Sequence, residues 1–338
     1  MPTIQSIDAD AKVSPYVNEN YTQESYMYGY HSGYHSQSYN RVFNHPISSD
    51  SRPDSRYLMG SEIELAFRSE SARRDFCEHK TNWYCCENDG SLSGAAPMEL
   101  ITIPLHPEDA TNPDFWRPLL SELSSKGARS WTNNTTGHHV HISRTIFCNP
   151  DAALSTQYRQ MRTAVGKLTA LYAMFIEDNE SAHRVFGRKV CYNQVKMKDD
   201  TIAKFTEAVP DMMISEPKLY QILVSSVKEA NRRRTCEINT LNKHTIEFRM
   251  GKGSLCPERV AAINEFVLLF CLWTMKVRIG KDCNLAAFEQ FMRENVRENS
   301  WLLHFYFNTP SPDGKRESAP NPRGNGRCSD EEDRSYTY

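Results

Sequence analysis

Three short stretches with one grammar constrain this chain more than anything else in it: Glu62-Ile63-Glu64, His139-Val140-His141 and Glu247-Phe248-Arg249. Each sets an apolar residue between two polar ones. A helix would spread such residues around its surface, whereas a β-strand sends successive side chains to opposite faces. Each triplet then puts two chemically active groups on one face and its apolar residue on the other. The flanks agree: Leu65 and Phe67 continue the apolar side of the first stretch, Ile142 that of the second, and Ile246 and Met250 that of the third. Glu99, in DGSLSGAAPMELITIPL, adds an acid from a fourth alternating segment.

The same alternation predicts strands in RYLMGSEIELAF, PMELITIPL, GHHVHIS and TIEFRMG. Helices are signalled by their caps. Asn112-Pro113-Asp114 precedes FWRPLLSEL, and Asn149-Pro150-Asp151 precedes a run to about Asp178; both set an acceptor ahead of a proline at the first helical position. Pro118 predicts a kink or a shortened element, and Pro257 opens a segment apolar nearly all round, read as a buried helix. Strands far apart in sequence, without βαβ regularity, predict an α+β fold. Its sheet is largely antiparallel, with helices packed on one face and the other open to a ligand.

Residues 1–55, rich in Tyr, Ser and His and nearly without aliphatic side chains, read as a flexible arm. Residues 56–308 form one folded domain, and 309–338, rich in Pro, Gly and charge, a disordered tail. A formal charge of −2 over 338 residues leaves no basic footprint for nucleic acid. The ten cysteines make no CxxC pair, which fits a reducing, cytoplasmic setting. The N-terminus lacks the basic and apolar regions of a signal peptide. The apolar run 266–275 is too short for a bilayer, so no membrane partner is expected.

One polar triplet is ordinary wet sheet surface. Three together, with no lysine at the paired positions and with Gly60, Gly90, Gly137, Gly251 and Gly253 nearby, point to a site. If the faces converge, Glu62, Glu64, Glu99 and Glu247 crowd around His139, and like charges so close drive protons back on. A divalent cation removes that conflict. Oxygen donors with a single imidazole suit Mg²⁺ or Mn²⁺ better than zinc, and Mg²⁺ keeps phosphates in its shell. Arg249 could then hold a phosphoryl group or carboxylate in its fork. GKGS at 251–254 lacks phosphate-loop spacing, and the kinase signatures are missing. His138 faces away from its neighbour and reads as structural. Asp89 reads as a turn former with Gly90.

Taken in order, GSEIEL, DGSL with MELITIPL, TGHHVHIS and INTLNKHTIEFRMG resemble the signature of the amidoligases. These are carboxylate-amine ligases related to glutamine synthetase and glutamate-cysteine ligase. The likeness covers about residues 57–255. It implies a glutamine-synthetase-like catalytic sheet that binds ATP and Mg²⁺ or Mn²⁺ and joins a carboxylate substrate to an amine substrate, small molecule or peptide, through an acyl phosphate. It implies metal ligation by Glu62, Glu64, Glu99, His139 and Glu247, a substrate-facing role for His141, and phosphoryl stabilisation by Arg249. Arg184 and Arg188 stand where the family tends to place a phosphate-contacting arginine. Asn239 and Asn242 could orient substrate, and Arg232-Arg233-Arg234 could touch the nucleotide. Two other readings stand beside it: a metal-dependent hydrolase built on the His139/His141 pair, and an inert scaffold that works through the tyrosine-rich arm.

Overall fold

A computed structural model describes residues 58–78, 84–89, 91–102, 104–131, 135–149, 151–188, 237–240, 242, 245–277 and 283–312. The readings of residues 1–55 as an arm, of most of the tail and of Arg232-Arg233-Arg234 lie outside them. The chain divides into two compact units, the first from residues up to Val140 plus Gly251–Ala261, the second from His141–Met250 plus Ala262–Gly314.

In the first unit, β1 (Met59–Phe67) pairs antiparallel with β3 (Ala96–Thr102), and β3 pairs antiparallel with β2 (Tyr84–Glu87). The strand order is β2-β3-β1-β4, where β4 (Gly137–Ser143) enters through its first half. The dry face is closed by Ile63, Leu65, Met98, Leu100 and Val140, all fully buried. Helices α1 (Glu70–Cys77), α2 (Pro107–Ala110) and α3 (Pro113–Ser125) complete this unit. Ser69 caps α1 by accepting from the Ala72 amide. Asn112 caps α3 as its sequence predicts, accepting from the Asp114 amide at 3.1 Å. Pro118 neither ends nor shortens α3, which runs on for a further two turns. Phe76 stacks on Tyr84 and meets Phe67 at a tilt, each at 5.8 Å between centroids, tying α1 to the end of the sheet.

In the second unit, β6 (Thr245–Lys252) lies between the second half of β4 and the short β5 (Ile238–Asn239), with β5 and β6 antiparallel. A 3₁₀ turn (Arg144–Phe147) follows β4, and then come α4 (Leu154–Phe175) and α5 (Glu180–Phe186). The helix expected from Asn149-Pro150 begins later. Asn149 spends its side chain on the Asp151 amide, 3.0 Å, so the chain turns there and α4 starts without a side-chain cap. It also stops at Phe175, short of Asp178. Helix α6 (Pro257–Lys276) is the buried helix that its composition predicts. With α7 (Leu285–Asn295) and α8 (Trp301–Phe307) it forms an aromatic core. Phe266 meets Phe186 edge-on at 5.0 Å and Phe288 at 5.7 Å, and Phe270 meets Phe288 at 5.4 Å. The described residues are thus mixed helix and antiparallel sheet, an α+β arrangement. None of their helices is long and apolar enough to cross a membrane.

Candidate metal centre and the Glu247–Arg249 pair

The polar face of the first unit is built by register. Glu64 on β1 stands directly opposite Glu99 on β3, and Glu99 directly opposite Glu87 on β2. Side chains of directly opposed residues leave the sheet on one face, so three carboxylates form a row across three strands. All three are buried, and Glu87 is fully so. Like charges placed directly opposite are destabilising, and here burial adds to the cost. Glu99, in the middle, shows the result: its carboxyl is held well above the ordinary range, first by burial, then by Glu62, Glu64, Asp89 and Glu87.

His139 closes the row from β4. Its Nδ1 lies 3.1 Å from Glu62 Oε2 and its Nε2 lies 3.6 Å from Glu64 Oε1, with the ring 1% exposed. One donor atom each from Glu64, Glu99 and His139 falls within 4.8 Å of the others. Carboxylate oxygens outnumber the single imidazole, so the donor set fits Mg²⁺ or Mn²⁺. Gly137, two residues before His139 on the same face of β4, keeps the space open. A Cβ there would lie 3.0 Å from both Glu64 Oε2 and His139 Nε2.

His138, on the other face, is buried with its Nε2 3.2 Å from Ser61 Oγ. Burial, and then His139 beside it, push its imidazole down to about 3, so it packs as a neutral ring. Asp89 shapes its turn by accepting from the Ser91 amide at 2.7 Å.

The second unit carries the other polar triplet. Glu247 is held from two sides on β6. Arg249 pairs with its Oε1, while Asn239 donates to its Oε2 at 2.8 Å and Asn242 at 3.3 Å. Asn239 is the direct cross-strand partner of Glu247, so pairing of β5 with β6 sets this contact. Arg144, buried enough that its guanidinium is pulled below its usual range, fixes the turn that presents both asparagines. It donates to the Asn242 carbonyl at 3.0 Å and to the Thr240 carbonyl. His141, half-buried, has Nδ1 3.2 Å from Thr245 Oγ1.

Arg188 donates to the carbonyls of Arg249 and Met250, at 3.1 and 3.2 Å, and so braces the backbone that carries Arg249. Arg184 donates instead to the carbonyls of Phe305 and Tyr306 at the end of α8 and to Ser181 Oγ.

The structure therefore gathers Glu62, Glu64, Glu99 and His139 in one unit, and gathers Glu247 and Arg249, with Arg188 on their backbone, in the other. Sequence reasoning missed Glu87 and Arg144. The only signal for Glu87 was the YCCE segment ahead of DGS, too short to read as a strand.

An antiparallel sheet whose polar face lines up buried carboxylates with one imidazole defines a class: an α+β protein with an oxygen-rich acidic centre. The family model described as "Putative amidoligase enzyme" matches residues 10–271, more than half of the chain. The chain belongs to that amidoligase family, and its membership supports an enzyme with ligase activity. The match begins at residue 10, inside the stretch read as an arm. No curated protein matches the chain.

Proposed function

We propose that this chain is an ATP-dependent carboxylate-amine ligase that forms an amide through an acyl phosphate on a glutamine-synthetase-like sheet. One observation carries the reading: the in-register row Glu64–Glu99–Glu87, closed by His139. A buried row of that kind is stable only when positive charge, as protons or a cation, is supplied to it. Glu62, Glu64, Glu99 and His139 would hold Mg²⁺ or Mn²⁺ in the first unit, with Glu247 as the acid of the second. When bound, such an ion neutralises charge that spreads over phosphoryl oxygens in the transition state.

The remaining roles fall to groups of the chain. Arg249 offers a planar fork to the transferring phosphoryl group, oriented through Glu247 and through the Arg188 contacts to its backbone. His141 faces the substrate carboxylate. Arg184 and Arg188 stand on the nucleotide side of the reading. Arg184 would need to leave the α8 carbonyls to reach a phosphate. The ten cysteines, which make no CxxC pair, support a reducing, cytoplasmic setting.

The test is a screen of carboxylate and amine pairs for ADP release with Mg²⁺ or Mn²⁺, with mass detection of the amide. Glu247→Gln should abolish that release. Product formed by hydrolysis without ATP would replace the ligase by the hydrolase reading. Undiminished ADP release in Glu247→Gln would remove this residue from the mechanism.

A further inference from the structure

Arg129 belongs to none of the roles above, yet the backbone delivers it to the acidic face. Its amide and carbonyl exchange both hydrogen bonds with Ala66, at 2.9 and 2.8 Å, as a single antiparallel bridge on the edge of β1. Directly opposed residues project to the same side, so Arg129 leaves the sheet on the face of Ala66. Ala66 is two residues from Glu64 and four from Glu62, on the face that carries both carboxylates. Arg129 and Glu64 are thus diagonal neighbours, with Cα atoms roughly 7 Å apart by ordinary sheet geometry.

At that distance an arginine would normally fold onto the carboxylates. Among the described residues, however, no hydrogen bond or ion pair reaches its guanidinium. The Nε is buried without an acceptor, while the side chain as a whole is half exposed. A guanidinium with a desolvated edge, an open edge and no acceptor among the described residues is held ready for an outside anion. Arg68 strengthens the positive end of this face. Its side chain runs past Gly127, two residues before Arg129, at 3.5 Å from where a Cβ would sit. One face of the first unit is therefore acidic in its middle and basic at one end. That is the charge pattern of a polyphosphate with its cation.

We propose that Arg129 anchors the phosphates of a nucleoside triphosphate whose divalent cation sits on Glu64, Glu99 and His139. This rests on the ligase reading for the nucleotide, but the anion site itself rests on the geometry of Arg129. A planar fork can take two phosphate oxygens at once, which a point charge cannot. Because its guanidinium makes no hydrogen bond or ion pair among the described residues, its replacement should leave the fold intact.

The experiment uses the full chain and needs neither carboxylate nor amine. Binding of Mg·ATP, inorganic tripolyphosphate and adenosine is measured by calorimetry, and Mn²⁺ binding by electron paramagnetic resonance. In Arg129→Gln the Kd for Mg·ATP and for tripolyphosphate should rise about 10- to 100-fold. Adenosine and Mn²⁺ binding and the thermal midpoint should stay unchanged, and Arg129→Lys should fall between the two. Unaltered Mg·ATP binding in Arg129→Gln, with wild type binding tightly, overturns the inference and leaves the ligase reading standing. Tripolyphosphate bound through Arg129 while the wild type ignores ATP keeps the anion site and removes the nucleotide. Wild type that binds neither overturns both.

Discussion

Gly137→Ala separates the stability of the sheet from the competence of its acidic centre. In stability alone the substitution should be neutral or favourable. Gly137 sits within β4 without a positive φ, and glycine in a strand costs about 0.5–1 kcal/mol relative to alanine. The new methyl, however, would lie 3.0 Å from Glu64 Oε2 and from His139 Nε2. Comfortable contacts at carbon begin near about 3.5 Å, so one or both ligands must retreat by roughly half an ångström. Metal–ligand distances tolerate only about 0.2 Å of error, and disturbances one step from a metal typically cost about 10- to 100-fold in affinity. The expected outcome is a thermal midpoint without metal that is equal to or above wild type, with Mn²⁺ affinity lower by at least about tenfold, or about 1.4 kcal/mol. Calorimetric Mn²⁺ titration and melting in a chelator measure the two separately. Wild-type Mn²⁺ affinity in a well-folded Gly137→Ala protein would show that Glu64 and His139 do not share an ion, and the metal centre drawn here would fall.

Two further outcomes follow from the buried acids. Glu87→Gln removes one of the opposed carboxylates beside Glu99. Without metal it should raise stability by a few tenths to about 1 kcal/mol in urea denaturation, and it should weaken Mn²⁺ binding about tenfold. Lower stability with unchanged Mn²⁺ affinity would make Glu87 a structural acid instead. Glu237 is buried immediately before β5, and burial raises its carboxyl to about 8. A raised folded-state value means that the native protein keeps a proton which the unfolded chain gives up. This contribution to stability is complete below about pH 4.3 and is lost as pH climbs through about 8. Urea midpoints taken across that window should fall with pH in wild type and fall less in Glu237→Gln. Parallel curves would refute the assignment.

The parts of this fold that were legible in the sequence are those fixed by neighbours along the chain. GHHVHIS reads as a strand to the residue, because alternation and the flanking glycine are local facts. The parts that were not legible depend on pairing. Glu87 acquires its meaning only when Tyr84–Glu87 docks against β3, and a four-residue segment with a single acid carries no period of its own. Arg129 enters through a one-residue bridge, which leaves no pattern in sequence. Asn149 looks like a helix cap because cap and turn use the same side-chain acceptor; which amide takes it is decided by the turn. The triplets show that Glu62 and Glu64 share a face, but not that Glu64 meets Glu99, since that is a statement about register. A one-residue slip between β1 and β3 would set Glu64 against Met98 or Leu100 and disperse the row. What forbids the slip is the opposite face, from which the slipped strand would withdraw its buried pair, Ile63 and Leu65 or Met98 and Leu100, and set it among the carboxylates. The acidic centre is therefore specified as much by the aliphatic residues behind it as by its carboxylates.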